Sequence, residues 1–190
     1  MKQKCSKAIR VITVPPVFAL LLCTILYWTK EGAFASAGHC LAALCFLSFL
    51  PILSYPLCAA VPALRKKGRK AERNLGLIFS VTGYIGGMLF CFLTDSTPIE
   101  KLIYATYFFS GVGLAVCTLL HFKASGHTCG CSGPIMVLSV LISPWFLLGY
   151  VLLGAIMWAS RSLERHSVAQ LVGGSLVPVL MLFLCMGWVM

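Results

Sequence analysis

The chain has 190 residues, of which 59% are apolar and 11% are charged, and its mean hydropathy is +0.94. A soluble domain is about 45–50% apolar and about 25% charged. These values exclude a soluble enzyme, a disordered chain and a secreted disulfide scaffold, and they leave a polytopic membrane protein. The chain has fifteen Lys and Arg residues and five Asp and Glu residues, which gives a formal net charge of +10.

Six apolar stretches are long enough to be read as membrane spans, because a spanning helix needs about 20 apolar residues. They lack the alternating period of barrel strands. The predicted fold class is therefore all-α, a polytopic transmembrane bundle of six to seven helices that forms a single integral membrane domain over residues 1–190. In chain order the stretches are Val11–Trp28, Phe34–Leu64, Leu75–Thr94, Leu102–Phe122, Gly133–Trp158 and Ser167–Met190.

Basic residues predict how these stretches are oriented. Four basic residues precede the first stretch, which is read as a span and not as a signal peptide because it is long and carries Pro15-Pro16. Six more lie between Arg65 and Asn74. Short loops rich in Lys and Arg face the cytoplasm. The sequence therefore predicts that the N-terminus and the 65–74 loop are both cytoplasmic.

The fifth stretch, Gly133–Trp158, allows two interpretations. It is either one span of 26 residues or the middle of two shorter spans that turn at Ser143-Pro144-Trp145. The two-span interpretation puts thirteen basic residues on one side of the membrane and two on the other, whereas one span gives eleven and four. The charge distribution therefore favours a helical hairpin and seven helices.

Ten cysteines are present, and seven of them lie inside apolar stretches, where they behave as small apolar side chains. Cys129 and Cys131 lie close to His127, in a run that could be read as a soft metal site. The C-x-C spacing is tight and no fourth ligand is evident. The sequence therefore predicts neither a metal site nor a cofactor.

Three polar clusters adjoin the apolar stretches, at residues 65–74, 123–127 and 160–170. Ionisable groups at membrane depth are costly and are therefore candidates for a functional site. Taken alone, each cluster has a simpler explanation, since basic loops obey topology and bind anionic lipid heads. Taken together, two His and several cations on one face are typical of a site for a phosphorylated lipid.

Three motifs in these clusters resemble those of the type 2 phosphatidic acid phosphatase (PAP2) superfamily, and especially its short bacterial members. The family motifs read Lys-x6-Arg-Pro, Pro-Ser-Gly-His and Ser-Arg-x5-His-x3-Asp. The resemblance covers roughly residues 50–180. The corresponding residues here are Lys66-x6-Arg73-Asn74, Ala124-Ser125-Gly126-His127 and Ser160-Arg161-x4-His166-x3-Gln170.

This resemblance implies a PAP2-like helical bundle in a bacterial plasma membrane and a metal-independent phosphatase. The substrate would be a lipid phosphate or an isoprenyl diphosphate among membrane lipids, with no nucleic acid and no cofactor. His166 would attack phosphorus and form a phosphohistidine, His127 would protonate the leaving oxygen, and Gln170 would orient His166. The implied phosphate-binding residues are Lys66, Arg73, Ser125, Gly126 and Arg161.

Two departures from the family pattern leave alternatives open. Arg161 is one residue closer to His166 than the family's Arg, which turns it by about 100° on a continuous helix. Either a local irregularity corrects this, or Arg165 or a residue of the basic loop replaces it. Gln170 replaces the family's Asp and supplies no negative charge. A catalytically impaired PAP2-like protein that binds anionic lipid heads is the alternative function, and a small transporter subunit is a third.

Overall fold

The computed structural model describes residues 2–189, apart from the side chains of Lys2 and Arg69. Met190, the last residue of the sixth apolar stretch, lies outside the described residues. Over this range every regular element is helical, which confirms the all-α class. The helices are α1 (Lys2–Ile12), α2 (Pro15–Thr29), α3 (Ala37–Leu44), α4 (Leu50–Ile52), α5 (Ser54–Ala60), α6 (Pro62–Lys67), α7 (Arg69–Leu93), α8 (Pro98–Leu119), α9 (Gly126–Leu141), α10 (Gly149–Ser162) and α11 (Val168–Val189).

Five helical segments of the described chain are long and apolar enough to cross a membrane, and α1 with α2 makes a sixth if this pair is counted as one span bent by 41°. The protein is therefore an integral membrane protein. With only 16 residues, α9 is about 24 Å long at ~1.5 Å per residue. The five are Ala37–Ala60, Lys70–Leu93, Pro98–Leu119, Pro144–Ser162 and Val168–Val189.

The stretch around Ser143 forms a helical hairpin, so the predicted turn is confirmed and the interpretation as a single span is wrong. α9 ends at Leu141, and a 3₁₀ turn over Pro144–Leu148 leads into α10. Pro144 favours the break because its ring leaves no N–H for a continuing helix. The Ser143 side chain accepts a hydrogen bond from the N–H of Trp145, which caps the new turn.

The basic segment 65–74 is helical, although the sequence analysis treated it as a loop. α6 ends at Lys67, and α7 begins at Arg69, directly after Gly68 with its positive φ of 54°. Lys, Arg, Ala and Glu are good helix formers, so that the charge of the segment does not prevent a helix. α7 therefore extends six residues N-terminally beyond the apolar stretch Leu75–Thr94.

The main core lies between α2, α8, α9 and α11. Its almost fully buried side chains include Leu22, Leu26, Tyr104, Val137 and Leu182. Most of α9 is buried because helices surround it. Because the neighbouring helices separate α9 from lipid, a helix this short is tolerated in the bundle.

Successive spans alternate in direction, so that the bundle has two chemically different ends. We call the end formed by residues 2–15, 61–73, 119–127 and 160–168 the cationic end, since thirteen of the fifteen Lys and Arg residues lie there. The opposite end carries three exposed tryptophans, Trp28, Trp145 and Trp188. Both His127 and His166 belong to the cationic end.

Candidate functional site at the cationic end

Two tight turns lead into the helices that carry the predicted site. After α8, His121 has a φ of 61°, and the N–H groups of His121 and Phe122 donate to the carbonyls of Thr118 and Cys117 at 3.1 and 2.8 Å. This pattern is a Schellman motif, in which glycine is usual at the left-handed position. The turn reverses the chain towards Ser125, the N-cap of α9.

The second turn has the same geometry and follows α10. Glu164 has a φ of 52°, its N–H donates to the Arg161 carbonyl at 2.9 Å, and the N–H of Arg165 donates to the Ser160 carbonyl at 3.2 Å. The continuous helix assumed for Arg161 and His166 therefore ends at Ser162. The local irregularity is present, but the Arg161 side chain is exposed.

The first turns of α9 and α11 lie side by side. The Ser125 N–H donates to the Gln170 carbonyl at 2.9 Å, and the Thr128 hydroxyl donates to the Leu171 carbonyl at 2.9 Å. A Cβ on Gly174 would lie 2.4 Å from the Ser125 carbonyl oxygen, so only glycine permits this approach. The pairing brings His127, on α9, close to His166, which precedes α11.

Both ring nitrogens of His127 face residues of the N-terminal segment. Nη2 of Arg10 lies 3.4 Å from Nδ1, and Oγ1 of Thr13 lies 3.5 Å from Nε2. Because a guanidinium only donates, Nδ1 must accept and the ring proton stays on Nε2. The Thr13 hydroxyl in turn donates to the Ile9 carbonyl at 2.7 Å. The resulting chain of hydrogen bonds is consistent with a neutral imidazole. Its members are the Arg10 guanidinium, the His127 ring, the Thr13 hydroxyl and the Ile9 carbonyl.

The surroundings of His127 strongly favour that neutral form. Burial, together with the positive charges of Arg10 and Arg165, lowers the pKa of His127 to about 3, and the backbone at Thr13 opposes the shift only in part. A nearby His166 charge acts in the same direction as the arginines. These surroundings therefore keep His127 unprotonated at neutral pH.

His166 contacts the side chain of Gln170, as the sequence analysis expected. Its Nδ1 lies 3.3 Å from Oε1 of Gln170, which also accepts from the Ser167 N–H at 3.1 Å. The Gln170 N–H donates back to the Ser167 hydroxyl at 3.3 Å. This reciprocal pair is a capping box at the start of α11, so Gln170 also has a structural role.

Burial is the largest effect on the pKa of His166 and lowers it. The hydrogen bond to Gln170 opposes this shift, while the charges of Arg10 and Lys123 lower the pKa further and the Lys123 carbonyl raises it. His166 therefore keeps a larger neutral fraction near pH 6.5 than a free histidine would. A neutral ring is the form that a nucleophile requires.

The five predicted phosphate-binding residues do not all gather at the histidines. Ser125 is buried as the N-cap of α9, and Gly126 is exposed in the first turn. Lys66, Arg73 and Arg161 are exposed at the cationic end, and within residues 2–189 none of these three side chains makes a hydrogen bond or an ion pair. They are available to ligands but are not held beside the histidines.

The cations that approach His127 are instead Arg10 and Arg165. The guanidinium of Arg10 also donates from Nη1 to the hydroxyl of Ser160 on α10. Arg165 is one of the replacements for Arg161 that the sequence analysis left open, and its charge acts on His127. Arg10 was counted only as an orientation signal, because nothing in the sequence shows that α1 packs against α10. Thr13 was missed for the same reason.

The Cys129 and Cys131 pair forms no cation site with His127. The Cys131 thiol donates to the Thr13 carbonyl at 3.5 Å, and Cys129 is buried. In the part of the chain that the structure describes, no three His, Cys, Asp or Glu side chains are grouped to hold a metal ion.

A second polar cluster, at the opposite end, was not predicted. Glu100 is 1% exposed and accepts hydrogen bonds from the Ala35 N–H at 2.7 Å, the Thr97 N–H at 2.9 Å and Nδ1 of His39 at 3.0 Å. The Thr97 hydroxyl accepts from the Glu100 N–H, which completes a capping box on α8. The cluster ties the 33–39 segment to the start of α8.

Comparison of the chain with protein-family models, with curated proteins and with solved structures finds no match. The functional interpretation therefore depends on the geometry of the cationic end and on the three sequence motifs.

Proposed function

We propose that the protein is an integral membrane phosphatase for a lipid phosphate or an isoprenyl diphosphate, acting through a phosphohistidine. One observation carries the proposal: α9 and α11 start side by side at the cationic end, with His127 and His166 at those starts and Arg10, Arg165 and Lys123 around them. Two imidazoles among cations at a membrane face suit phosphoryl transfer, in which catalysis is mostly positioning and charge stabilisation.

In the proposed reaction, Nε2 of His166 attacks phosphorus. The P–N bond forms as the bond to the leaving oxygen breaks, and His127 gives that oxygen a proton. Water then attacks phosphorus, His127 takes the proton from the water, and the P–N bond breaks to release phosphate. The contact of Nδ1 with Oε1 of Gln170 supports this assignment, because it leaves the proton on Nδ1 and the lone pair on Nε2.

The cations have two roles in the proposal. Those beside the histidines neutralise the non-bridging oxygens as charge develops on them. Lys66, Arg73 and Arg161, which are exposed at the same end, would attract the anionic lipid to the site. The apolar walls of the bundle would hold its chain in the bilayer.

A second candidate is a non-catalytic protein that binds anionic lipid heads. The neutral state of His127 favours it, because a ring with a pKa of about 3 is a poor proton donor at neutral pH. The capping role of Gln170 also favours it, since that residue is explained without any catalysis.

Phosphate release tests the two candidates. Purified protein in detergent micelles is given phosphatidate or an isoprenyl diphosphate, with EDTA present to remove divalent metals. We expect turnover in the wild type and its loss in His166→Ala and in His127→Ala. His121→Asn is the matched control, because His121 lies at the same end and asparagine tolerates its positive φ.

Equal phosphate release from the wild type and from both alanine variants would exclude the phosphatase. Binding to vesicles that contain phosphatidate, with no release of phosphate by any variant, would instead favour the lipid-binding function.

We also propose that the membrane is a bacterial plasma membrane and that the cationic end is cytoplasmic. The charge asymmetry between the two ends supports this orientation. Cys5 is exposed at the cationic end, so a membrane-impermeant maleimide tests it. Labelling in inside-out vesicles, absent in sealed cells and in Cys5→Ser, is expected. The reverse pattern would place the site on the outer face.

A further inference from the structure

His127 is covered by the N-terminal segment on both of its ring nitrogens. Arg10 donates towards Nδ1, and Thr13 faces Nε2. A general acid must direct an N–H at the leaving oxygen. In this arrangement neither nitrogen is able to do this, because Nδ1 carries no proton and the proton on Nε2 is directed at Thr13. The N-terminal segment must therefore change its contacts before His127 can act.

Arg10 is positioned to make that change. It lies in the last turn of α1, which packs against α10, and its guanidinium reaches both Ser160 and His127. A planar guanidinium with five N–H donors can keep one partner while it exchanges another, and phosphate oxygens match its fork geometry. Arg161, the cation of the sequence motif, is exposed and does not compete for this place.

We propose that Arg10 binds the phosphoryl group of the substrate, and that in doing so it exchanges its contact with Nδ1 of His127 for phosphate oxygens and so allows His127 to become protonated. The inference rests on the proposed function and adds a residue that none of the three motifs contains. It makes the proton donor available only when a phosphate is bound.

The charges around His127 explain why an anion has this effect. Arg10 faces the ring from α1, and Arg165 and His166 face it from the turn before α11. Lys123, from the segment before α9, acts on His166. The charges of Arg10, Arg165 and His166 all oppose a second proton on the His127 ring. A phosphate dianion between Arg10 and His127 reverses the sign of the local field, so that Nδ1 takes a proton from solvent and later passes it to the leaving oxygen.

Thr13 keeps the ring in place throughout. Its hydroxyl donates to the Ile9 carbonyl and is therefore left to accept from Nε2 in both protonation states. Nδ1 is thus the nitrogen that gains and loses the proton. Thr13→Ser keeps this arrangement, whereas Thr13→Val removes the hydroxyl at almost the same volume and leaves only the backbone of Thr13 beside the ring. We expect kcat to fall at least tenfold in Thr13→Val and to stay close to the wild-type value in Thr13→Ser.

The direct test is a histidine titration by NMR on protein with ¹⁵N-labelled histidine in detergent micelles, with and without inorganic phosphate. His127→Gln assigns the resonance. In the wild type, phosphate is expected to raise the pKa of His127 by at least one unit, which is a tenfold change in its protonation equilibrium. In Arg10→Gln we expect no phosphate-dependent change. Lys7→Gln, an exposed cation on the same helix, is the control and should behave as the wild type.

Circular dichroism and thermal unfolding of each variant show whether it is folded. Arg10→Lys keeps the charge without the fork and provides a second, milder variant. A phosphate-dependent shift of His127 that persists in both Arg10 variants would overturn the inference, as would a wild type that shows no shift.

Turnover separates this inference from the proposed function. If the wild type hydrolyses phosphatidate, Arg10→Gln should raise KM and lower kcat, each by at least tenfold. Unchanged constants would leave the phosphatase standing and refute the role of Arg10. If no lipid phosphate is hydrolysed but inorganic phosphate still shifts His127 through Arg10, the anion site stands and the phosphatase fails.

Discussion

The two ends of the bundle each hold a histidine in a polar cluster, but the charges around the two rings are opposite. At the opposite end, His39 faces the carboxylate of Glu100, which also accepts two backbone N–H groups. At the cationic end, His127 faces Arg10, and the charges that act on it are positive. The first cluster contains its own carboxylate, whereas the charged groups that act on His127 in the second cluster are all basic residues.

This contrast separates a structural cluster from the proposed binding site. The carboxylate of Glu100 accepts hydrogen bonds from the two chain segments that it connects. Removing this carboxylate should therefore lower the free energy of unfolding. Arg10 and His127 are in contact, although a negatively charged neighbour would stabilise each of them more. Changes there should affect ligand binding and protonation more than folding.

Glu100→Ala is expected to have the largest effect. It leaves the N–H groups of Ala35 and Thr97 and the His39 ring without their buried partner. Removing one member of a buried pair costs about 3–5 kcal/mol. Denaturant unfolding in detergent micelles measures the loss. The control is Glu31→Ala, an exposed acid at the same end, which should change the free energy of unfolding by less than about 0.5 kcal/mol. Equal stability of the two variants would contradict the structural role of Glu100.

Gly174→Ala should disturb the cationic end by separating α9 from α11. The new Cβ would lie 2.4 Å from the Ser125 carbonyl oxygen and 2.6 Å from Oγ1 of Thr128. Overpacking of this kind costs about 1–3 kcal/mol. Gly187→Ala on the same helix has open space around its Cβ and is the matched control. If thermal unfolding shows the same stability for both variants, the two helices do not approach each other as closely as described.

Gln170→Glu should keep the capping box and place a carboxylate beside Nδ1 of His166. The pKa of His166 should therefore rise, and the acid side of the pH–rate profile should move to higher pH. Gln170→Ala should do the reverse, because it removes the hydrogen bond that raises this pKa, and it should cost about 1 kcal/mol for the lost cap. NMR titration of His166 checks both directions, and shifts of the same sign would refute the contact.

The wild-type pH dependence has a definite sign. Folding lowers the pKa of His166 below its ordinary 6.5, so the unfolded chain binds more protons below that pH. The contribution of His166 to stability is therefore present above about pH 6.5 and is lost as the pH falls through 6.5 towards the folded-state pKa.

Glu164→Gly should have the smallest effect and should stabilise the protein. Glu164 has a φ of 52°, a conformation that costs a residue with a side chain about 1 kcal/mol and glycine almost nothing. Thermal unfolding should therefore show a higher Tm. Glu164→Gln removes the charge without relieving the backbone and should leave Tm unchanged. A higher Tm in both variants would mean that the charge of Glu164, and not its φ, lowers the stability of this turn.

Much of the fold could be predicted because its strongest signals are local. Apolar length gave most of the spans, and the distribution of basic residues favoured the turn at Ser143-Pro144-Trp145. The sequence did not reveal that α1 is a separate helix, because its residues 2–12 read as a charged flank. Nor did it reveal that residues 65–74 belong to two helices that meet at Gly68, because charge was taken as a sign of a loop.

Part of the site could also be predicted. The Ser-Gly-His and His-x3-Gln motifs named His127, His166 and Gln170, which the fold brings to one end, although their catalytic roles remain predictions. Arg10 and Thr13 could not be found because they reach His127 over more than a hundred residues of sequence. The helix end at Ser162 was hidden because Glu164 occupies a place where glycine usually gives the signal.

Three of the four exposed tryptophans lie at the opposite end, and only Trp158 lies near the cationic end. This asymmetry bears on how the protein responds to its bilayer. Tryptophan side chains prefer the level of the headgroups, so they fix the depth of the opposite end. A thicker or thinner bilayer must then be accommodated mainly at the other surface, where long Lys and Arg side chains adjust by snorkelling. We therefore expect the depth of His127 and His166 relative to the headgroups to vary with the acyl-chain length of the surrounding lipids.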